Sequence, residues 1–410
     1  MSHLNVLNEL IEGLQREQER SREVLHMVPS ENVLSPLARS AYSGTLQARY
    51  SFGNGQFNPS WPMMDWFEQV ERDSEEELSS LLGAEYVSLR PLSGMNAMTV
   101  ALAASGAKDV MSVAVSDGGH AVTSQMAQKL GARVHMISLD PISGEIDVDA
   151  TLQTVERLAG PTLIYLDQYC TVRPLRVAQL AARIPPNVIL HYDASHILGL
   201  VAGGAVANPL VDGARSLGGS LHKSFPGPLR GMLASRDRVS HEAFGAESAR
   251  WISHHQPGHT LALAITLAEM RNGWQHYALS VVRNAKAFAQ ALWALGIPVH
   301  GAEFGFTECH QVFIDVSDIV DPEYASRCLL DAGIRMNAID IPQLGRVGLR
   351  AGLQELTRRG LDESGARSIA EIAASAIVRD VDSLTLKRRS ISISEQLAWE
   401  GLPSSAKVFS

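Results

Sequence analysis

Apolar residues recur at helical spacing between residues 4 and 25 (Leu4, Leu7, Leu10, Ile11, Leu14), and this predicts an N-terminal helical arm. The stretch "VPSENVLSP" that follows has no period and reads as an irregular turn. Between residues 62 and 82 the run "PMMDWFEQVERDSEEELSSLL" opens on proline and is closed by Gly83, the punctuation of a helix. Beyond it, short apolar runs alternate with helical patterns. "EYVSLR", "DVMSVAV", "RVHMISL", "TLIYLD", "NVILHYD" and "GARSLG" read as strands, with helical patterns near 96–104, 122–130, 148–158 and 174–183. Such alternation predicts a mainly parallel sheet with helices on both faces. Ligands of these sheets bind beyond the carboxyl ends of the strands, which puts Asp167 and Asp193, each closing a strand, at the functional edge.

A longer helical pattern near 259–295 bridges to a second unit. There, strands ("CHQVFIDV", "GIRMNAI", "RVGLRAG") mix with helices near 321–331 and 362–379. A chain of 410 residues exceeds what a single core serves. The expected division is an N-terminal helical arm and active-site segment over 1–55, a large domain over 56–280 and a small α/β domain over 281–410.

Composition narrows the function classes. A net charge of −9, with no basic stripe carrying interleaved aromatics, argues against a nucleic-acid binder. The three cysteines (Cys170, Cys309, Cys328) form no CxxC pair, which suits a reducing compartment and offers neither a disulfide framework nor a zinc site. The polar N-terminus lacks the apolar run of a signal peptide, and no apolar run approaches the ~18 residues of a membrane span. A soluble, cytoplasmic protein without membrane or metal is expected.

The chemistry turns on "SLHKSFPGPLRG", Ser220 to Gly231, where Lys223 stands between a histidine and two prolines. A nucleotide phosphate loop is a poor match. His222 occupies the place of its last glycine, and the prolines after Lys223 cannot open the helix such a loop needs. A Schiff-base lysine fits better, provided the chain also supplies the rest of a pyridoxal phosphate site. That site needs a buried acid for the ring nitrogen, a flat group against the ring, amides for the phosphate and an arginine for a substrate carboxylate. Asp193 in "HYDASH", His120 in "SDGGH", the turn "PLSGMNAM" and Arg350 in "VGLRAG" are the respective candidates. Each alone has a plainer reading, as turn starter, loop histidine or helix cap. Asp193 with His196 also suggests metal ligation, but no third ligand follows.

The order of these motifs resembles the serine hydroxymethyltransferase family. "VPSEN", "PLSGMNA", "SDGGH", "HYDASHILGLVAGG", "LHKSFPGPLRG" and "VGLRAGLQELTRRG" succeed one another as in that family over residues 27 to 375. The resemblance implies a fold-type I pyridoxal-phosphate transferase: a large domain with a mostly parallel seven-stranded sheet, plus a smaller C-terminal α/β domain. It implies that Lys223 forms the Schiff base, Asp193 pairs with the ring nitrogen, His120 stacks on the ring and His196 lies near the ring oxygen. Ser93, Gly94, Met95 and His222 match phosphate-side positions. Arg350, with Ser30 and Tyr50, matches the substrate-carboxylate site. Family members are homodimers with shared sites, and Gly258 matches the segment that reaches the second subunit's phosphate.

Departures from the folate-using members point to a side branch. Tyr50 is kept, but Phe52 stands where those enzymes carry a catalytic glutamate. Met95 replaces a serine of the phosphate turn, and Arg230 lies one residue later than the family's arginine. "DGGH", "LDQ" (Asp167, Gln168), "HK" before "PGP", and "GFT" before "HQV" resemble the L-threonine transaldolases. The resemblance implies retro-aldol cleavage of L-threonine to acetaldehyde and a glycyl carbanion, which then adds to a second aldehyde. The product is a β-hydroxy-α-amino acid of natural-product biosynthesis. A folate-dependent serine or α-methylserine hydroxymethyltransferase and a threonine aldolase are the alternatives. His120 and Glu31 are the positional candidates for the group that takes the β-hydroxyl proton.

Overall fold

The computed structural model describes residues 3–51, 62–140 and 143–397. Helix α1 (His3–Arg22) leads to a two-residue strand β1 (Leu25–His26) and a short helix α2 (Pro36–Ser40). Ser35 caps α2, its Oγ accepting the Ala38 N–H at 3.0 Å. Helix α3 (Asp65–Leu82) stops where Gly83 turns left-handed at φ 62°, a conformation only glycine adopts freely.

The main sheet then builds in chain order. Its elements are β2 (Tyr86–Ser88), α4 (Gly94–Ser105), β3 (Asp109–Ser112), α5 (Ala121–Lys129), β4 (Arg133–Met136) and α6 (Val148–Glu156). After these come β5 (Thr162–Asp167), α7 (Ala178–Ala181), β6 (Val188–Asp193), α8 (Leu198–Ala202), β7 (Ser216–Ser220) and β8 (Gly231–Ser235). The seven strands lie in the order β2-β8-β7-β6-β5-β3-β4. Strands β3 to β7 pair in parallel, and β8 runs antiparallel to both of its neighbours. The strand order reverses between β3 and β5, where open α/β sheets place their ligand crevice. All six residues of β5 are buried, as expected of a strand covered on both faces.

Three helices complete the large unit and cross to the next: α9 (Arg238–Trp251), α10 (Pro257–Met270) and α11 (Trp274–Ala294). The single helical pattern predicted over 259–295 is thus two helices, parted at Gly273, the residue type least suited to a helix interior apart from proline. The helix predicted over 174–183 shrinks to the four residues of α7, because Pro174 and Pro185 bracket it. Strand β8 escaped the sequence reading: "GMLAS" carries no β-branched residue and follows a proline-rich turn.

The second unit holds β9 (Gln311–Ile314), α12 (Pro322–Asp331), β10 (Ile334–Arg335), β11 (Asn337–Ile341) and β12 (Arg346–Gly352). Helices α13 (Gln354–Arg358), α14 (Glu363–Val378) and α15 (Ser383–Gln396) follow. Strands β11, β12 and β9 form an antiparallel sheet, while β10 pairs in parallel with β1. "GIRMNAI", predicted as one strand, therefore serves two sheets, divided at the buried Met336. Helix α11 spans both cores: Val281 packs into the large one and Ala285 into the small one. Leu25 and Met27 pack into the small core although they lie within the first 55 residues. No helix among the described residues is long and apolar enough to cross a membrane.

Candidate active site

Lys223 sits in the connection between β7 and β8, whose last ladder pair is Ser220 with Gly231. The prolines and glycines make this connection close back on itself: Gly227 N–H donates to Leu221 O at 2.8 Å, and Leu221 N–H to Arg230 O at 2.8 Å. Gly219, at φ 140°, brings β7 so close to Ser195 that a Cβ would stand 2.6 Å from the Ser195 nitrogen. Ser195 Oγ accepts the Ser220 N–H at 2.9 Å, which fixes the start of the connection. Lys223 projects into a cleft that it shares with Asp193, Asp167, His120, His196 and Gly94. Its amine has no hydrogen-bond or ion-pair partner among the described residues. Burial draws the ammonium below its usual range; Asp193 opposes that shift, and Arg350 adds to it.

Asp193 closes β6 and is buried, with Tyr165 Oη donating to its Oδ2 at 2.9 Å and the Ser195 N–H to its Oδ1 at 2.9 Å. A donor on each oxygen keeps the carboxylate in one orientation, facing the cleft. His196, one turn on, stacks against His310 with ring centroids 5.8 Å apart and 18° between planes. Gln311 Nε2 reaches its Nδ1 at 3.5 Å. Burial holds His196 well below the ordinary histidine range, and Lys223 and Arg350 reinforce this, so the ring is neutral.

Two helix N-termini face the same cleft. Ser93 caps α4, accepting the Asn96 N–H at 3.1 Å, so its side chain serves the helix rather than the cleft. Gly94 and Met95 follow as the first helical residues and line the cleft. A Cβ on Gly94 would collide with Ser220 Oγ, and one on Gly231 with Ser93 O, so the turn and the lysine connection touch through glycine alone. His120 caps α5: its Nδ1 accepts the Val122 N–H at 3.3 Å. With that lone pair in use, the neutral ring carries its proton on Nε2. Burial and Lys223 keep His120 below its ordinary range.

Arg350, on β12, enters from the second unit. It is buried, donates to Tyr169 O at 3.0 Å and lies 5.8 Å from the centre of the Tyr169 ring. No carboxylate pairs with it among the described residues, and its Nε is buried without a partner. A buried guanidinium without an acidic partner is of the charge and shape that a carboxylate can pair with. The turn holding Ser30 is stitched to the same unit. Gln354 Nε2 donates to Val28 O at 2.9 Å and to Glu31 O at 2.7 Å, and His310 Nε2 lies 3.2 Å from Pro29 O. Glu31 points its carboxylate to Arg335 in a two-pronged ion pair.

The structure thus gathers Lys223, Asp193, His120, His196, Gly94 and Met95 around one cleft, with Arg350 behind Tyr169. Ser30, Glu31, Ser93 and His222 do not line it, although Ser93 and His222 adjoin the lining residues Gly94 and Lys223. His222 is half-buried with an unpartnered Nδ1, and burial with Lys223 pushes it down to about 4. The Tyr50 ring meets His254 at a 49° tilt with centroids 4.5 Å apart, Gly258 packs against the 41–47 segment, and neither lines the cleft of its own chain. Phe52 lies outside the described residues. Tyr169, Ser195, Ser220 and Met98 line the cleft and were not singled out in the sequence; only Tyr169, two residues after the strand-ending Asp167, had a positional cue.

A half-buried amine without a partner, sharing one cleft with a strand-end carboxylate and two helix N-termini, is an arrangement that suits chemistry on a carbonyl group. The serine hydroxymethyltransferase family profile matches residues 5–373, and the chain belongs to that family. An L-threonine:uridine-5'-aldehyde transaldolase of a Streptomyces species is 35% identical over 383 residues, covering 90% of this chain and 92% of that protein. A serine hydroxymethyltransferase of Archaeoglobus fulgidus is 34% identical over 384 residues, covering 88% and 85%. Among solved structures, the L-threonine transaldolase of Pseudomonas fluorescens in its internal aldimine state superposes with a TM-score of 0.88 at 25% identity, over 99% of this chain and 96% of that one.

Proposed function

We propose that this protein is a pyridoxal-phosphate-dependent L-threonine transaldolase that makes a β-hydroxy-α-amino acid from threonine and a second aldehyde. The observation that carries the coenzyme is the amine of Lys223, unpaired, in one cleft with the doubly hydrogen-bonded Asp193. The residues present fit the group. The glycine contact between Gly94 and Ser220 leaves backbone amides of α4 for a phosphate, and Asp193 provides the acid. Bound there, pyridoxal phosphate supplies an aldehyde that condenses with amines and a ring that withdraws electrons.

The chain's own groups then do the following work. Lys223, drawn toward its neutral form, offers a nucleophilic amine. Asp193 would hold a proton at the ring nitrogen, and His120 would lie against the ring. Arg350 takes the amino-acid carboxylate, which satisfies its open charge. His120 presents Nε2–H while its Nδ1 stays on the α5 cap, and Glu31 stays on Arg335. Both groups proposed for the β-hydroxyl proton are therefore engaged in this state, and either must leave its present partner to act as the base.

Identity alone does not choose between transaldolase and folate enzyme, since the two kinds of relative differ by one percentage point. The residues choose. By the resemblance, Phe52 stands where the folate-using members carry an acid, and "DGGH", "LDQ" and "GFT" before "HQV" match the L-threonine transaldolases. The cytoplasmic setting and a homodimer with shared sites belong to this reading; that Tyr50 and Gly258 do not line the cleft of their own chain supports a role for them at the second subunit's site. The test supplies purified protein with pyridoxal phosphate, L-threonine and a panel of aldehydes that includes a nucleoside 5'-aldehyde, without folate. Acetaldehyde with a new β-hydroxy-α-amino acid supports the reading. Glycine alone indicates an aldolase, and formaldehyde transfer that needs tetrahydrofolate indicates a hydroxymethyltransferase.

A further inference from the structure

Asp167 has no role in the reading above, yet it lines the same cleft. It closes β5 as Asp193 closes β6, and the two are direct ladder partners in a parallel pair. Ladder partners stand on the same face of the sheet, with their β-carbons about 5 Å apart. Both carboxyl groups are buried, and neither has an ion-pair partner among the described residues. Asp193 accepts two hydrogen bonds. Asp167 has Thr123 Oγ1 2.5 Å from its Oδ2, while its Oδ1 is buried with no partner.

Two buried carboxyl groups that are neighbours across a strand ladder disfavour each other's ionised form. Asp167 is the better keeper of a proton, since it makes fewer hydrogen bonds. Burial, with Asp193 adding, raises its carboxyl to about 7. The groups that interact with it are Asp193 and, from the other face of β6, Tyr192, together with Tyr165 from its own strand, Thr123 and the His120 backbone from the start of α5, and Lys223 from the β7–β8 connection. Both tyrosines are pushed up by burial and so stay neutral, and of these side chains only Lys223 can carry a positive charge, which burial disfavours.

We propose that Asp167 is a positioning acid acting through Asp193: it carries a proton while the cleft is empty and releases it when the coenzyme's ring N–H⁺ seats on Asp193. This rests on the coenzyme reading. The balance is simple. The O–H bond of the Asp167 carboxyl breaks, its electron pair stays on the oxygen, and the proton leaves to bulk water. The pair goes from one negative charge to two, the arriving ring nitrogen brings one positive charge, and nothing is oxidised or reduced. The second carboxylate then holds the ring proton more firmly than Asp193 would alone, which keeps the ring electron-withdrawing at higher pH.

The test compares the wild type with Asp167→Asn, which keeps an acceptor for Thr123 but has no proton to release. Coenzyme-free protein is titrated with pyridoxal phosphate near pH 6.5 in buffers of different ionisation enthalpy. The visible absorbance band confirms loading. The wild type is expected to release about one proton more per coenzyme than Asp167→Asn, and its affinity to rise by up to tenfold per pH unit more steeply below pH 7. Equal proton counts and parallel pH profiles in two coloured proteins overturn the proposal and leave the coenzyme reading intact. A wild type that never gains the band overturns both. If Asp167→Asn does not fold, the wild type alone decides: its infrared difference spectrum on loading loses the carbonyl stretch of a protonated carboxyl, or the proposal fails.

Discussion

Asn32 Nδ2 donates to the carbonyl oxygen of Lys223 at 2.7 Å, across 191 residues of chain. The next carbonyl, that of Ser224, accepts from Tyr277 Oη at 2.7 Å, and Asn32 also reaches Tyr277 Oη at 3.3 Å. The lysine's backbone is thus gripped by the N-terminal turn and by α11, through groups that do not line the cleft. Asn32→Ala is expected to cost about 1–3 kcal/mol in urea unfolding, the cost of a buried carbonyl left unpaired. It should also release coenzyme faster than the wild type. Unchanged stability and release would show that the grip is incidental.

Arg350 has a buried charge and no acidic partner among the described residues. If it receives the amino-acid carboxylate, Arg350→Gln raises the KM for L-threonine roughly 10–100-fold, the scale of one or two charge-assisted hydrogen bonds. Tyr169 O loses a donor in the same variant, so thermal stability should fall slightly while the coenzyme band remains. Steady-state kinetics on threonine decides this, and an unchanged KM removes Arg350 from the substrate site.

Glu75 lies on α3 behind the turn that leads into α4. Its Oε1 accepts the Leu89 N–H at 2.8 Å, and burial, with Glu71 beside it, raises its carboxyl to about 8. The Leu89 carbonyl is held from the other side by the buried Arg230, so this residue is clamped through both of its backbone polar groups. The folded protein keeps the Glu75 proton to about pH 8, whereas the unfolded chain gives it up near 4.5. The folded state therefore binds more protons between these values. The group's contribution is full below the unfolded value and is lost as pH rises toward 8, with a slope of about 1.4 kcal/mol per pH unit. Glu75→Gln keeps the acceptor for Leu89 and should flatten this part of the pH–stability curve. Parallel curves for the two proteins would contradict the assignment.

The strand-end acids were legible because β5 and β6 are near-continuous apolar runs, each terminated by a charge. Lys223 was legible because prolines and glycines ruled out a helix there, and the order of motifs tied it to Asp193, His120 and Arg350. The helix caps at Ser93 and His120 show the plain and the chemical readings meeting in the same stretch of chain. Each residue satisfies a helix terminus and so holds that terminus toward the cleft. What pattern could not reveal are pairings across long separations. Tyr169 with Arg350 spans 181 residues and Glu31 with Arg335 spans 304, and no local period encodes either. Strand β8 was hidden for a different reason, since burial in the sheet overrides its weak local propensity.

The account stands or falls on the covalent partner of one amine. Protein loaded with pyridoxal phosphate, reduced with borohydride and digested should yield a single phosphopyridoxylated peptide, modified at Lys223, and Lys223→Ala should yield none. A label on another lysine, or no label on a folded wild type, would contradict it.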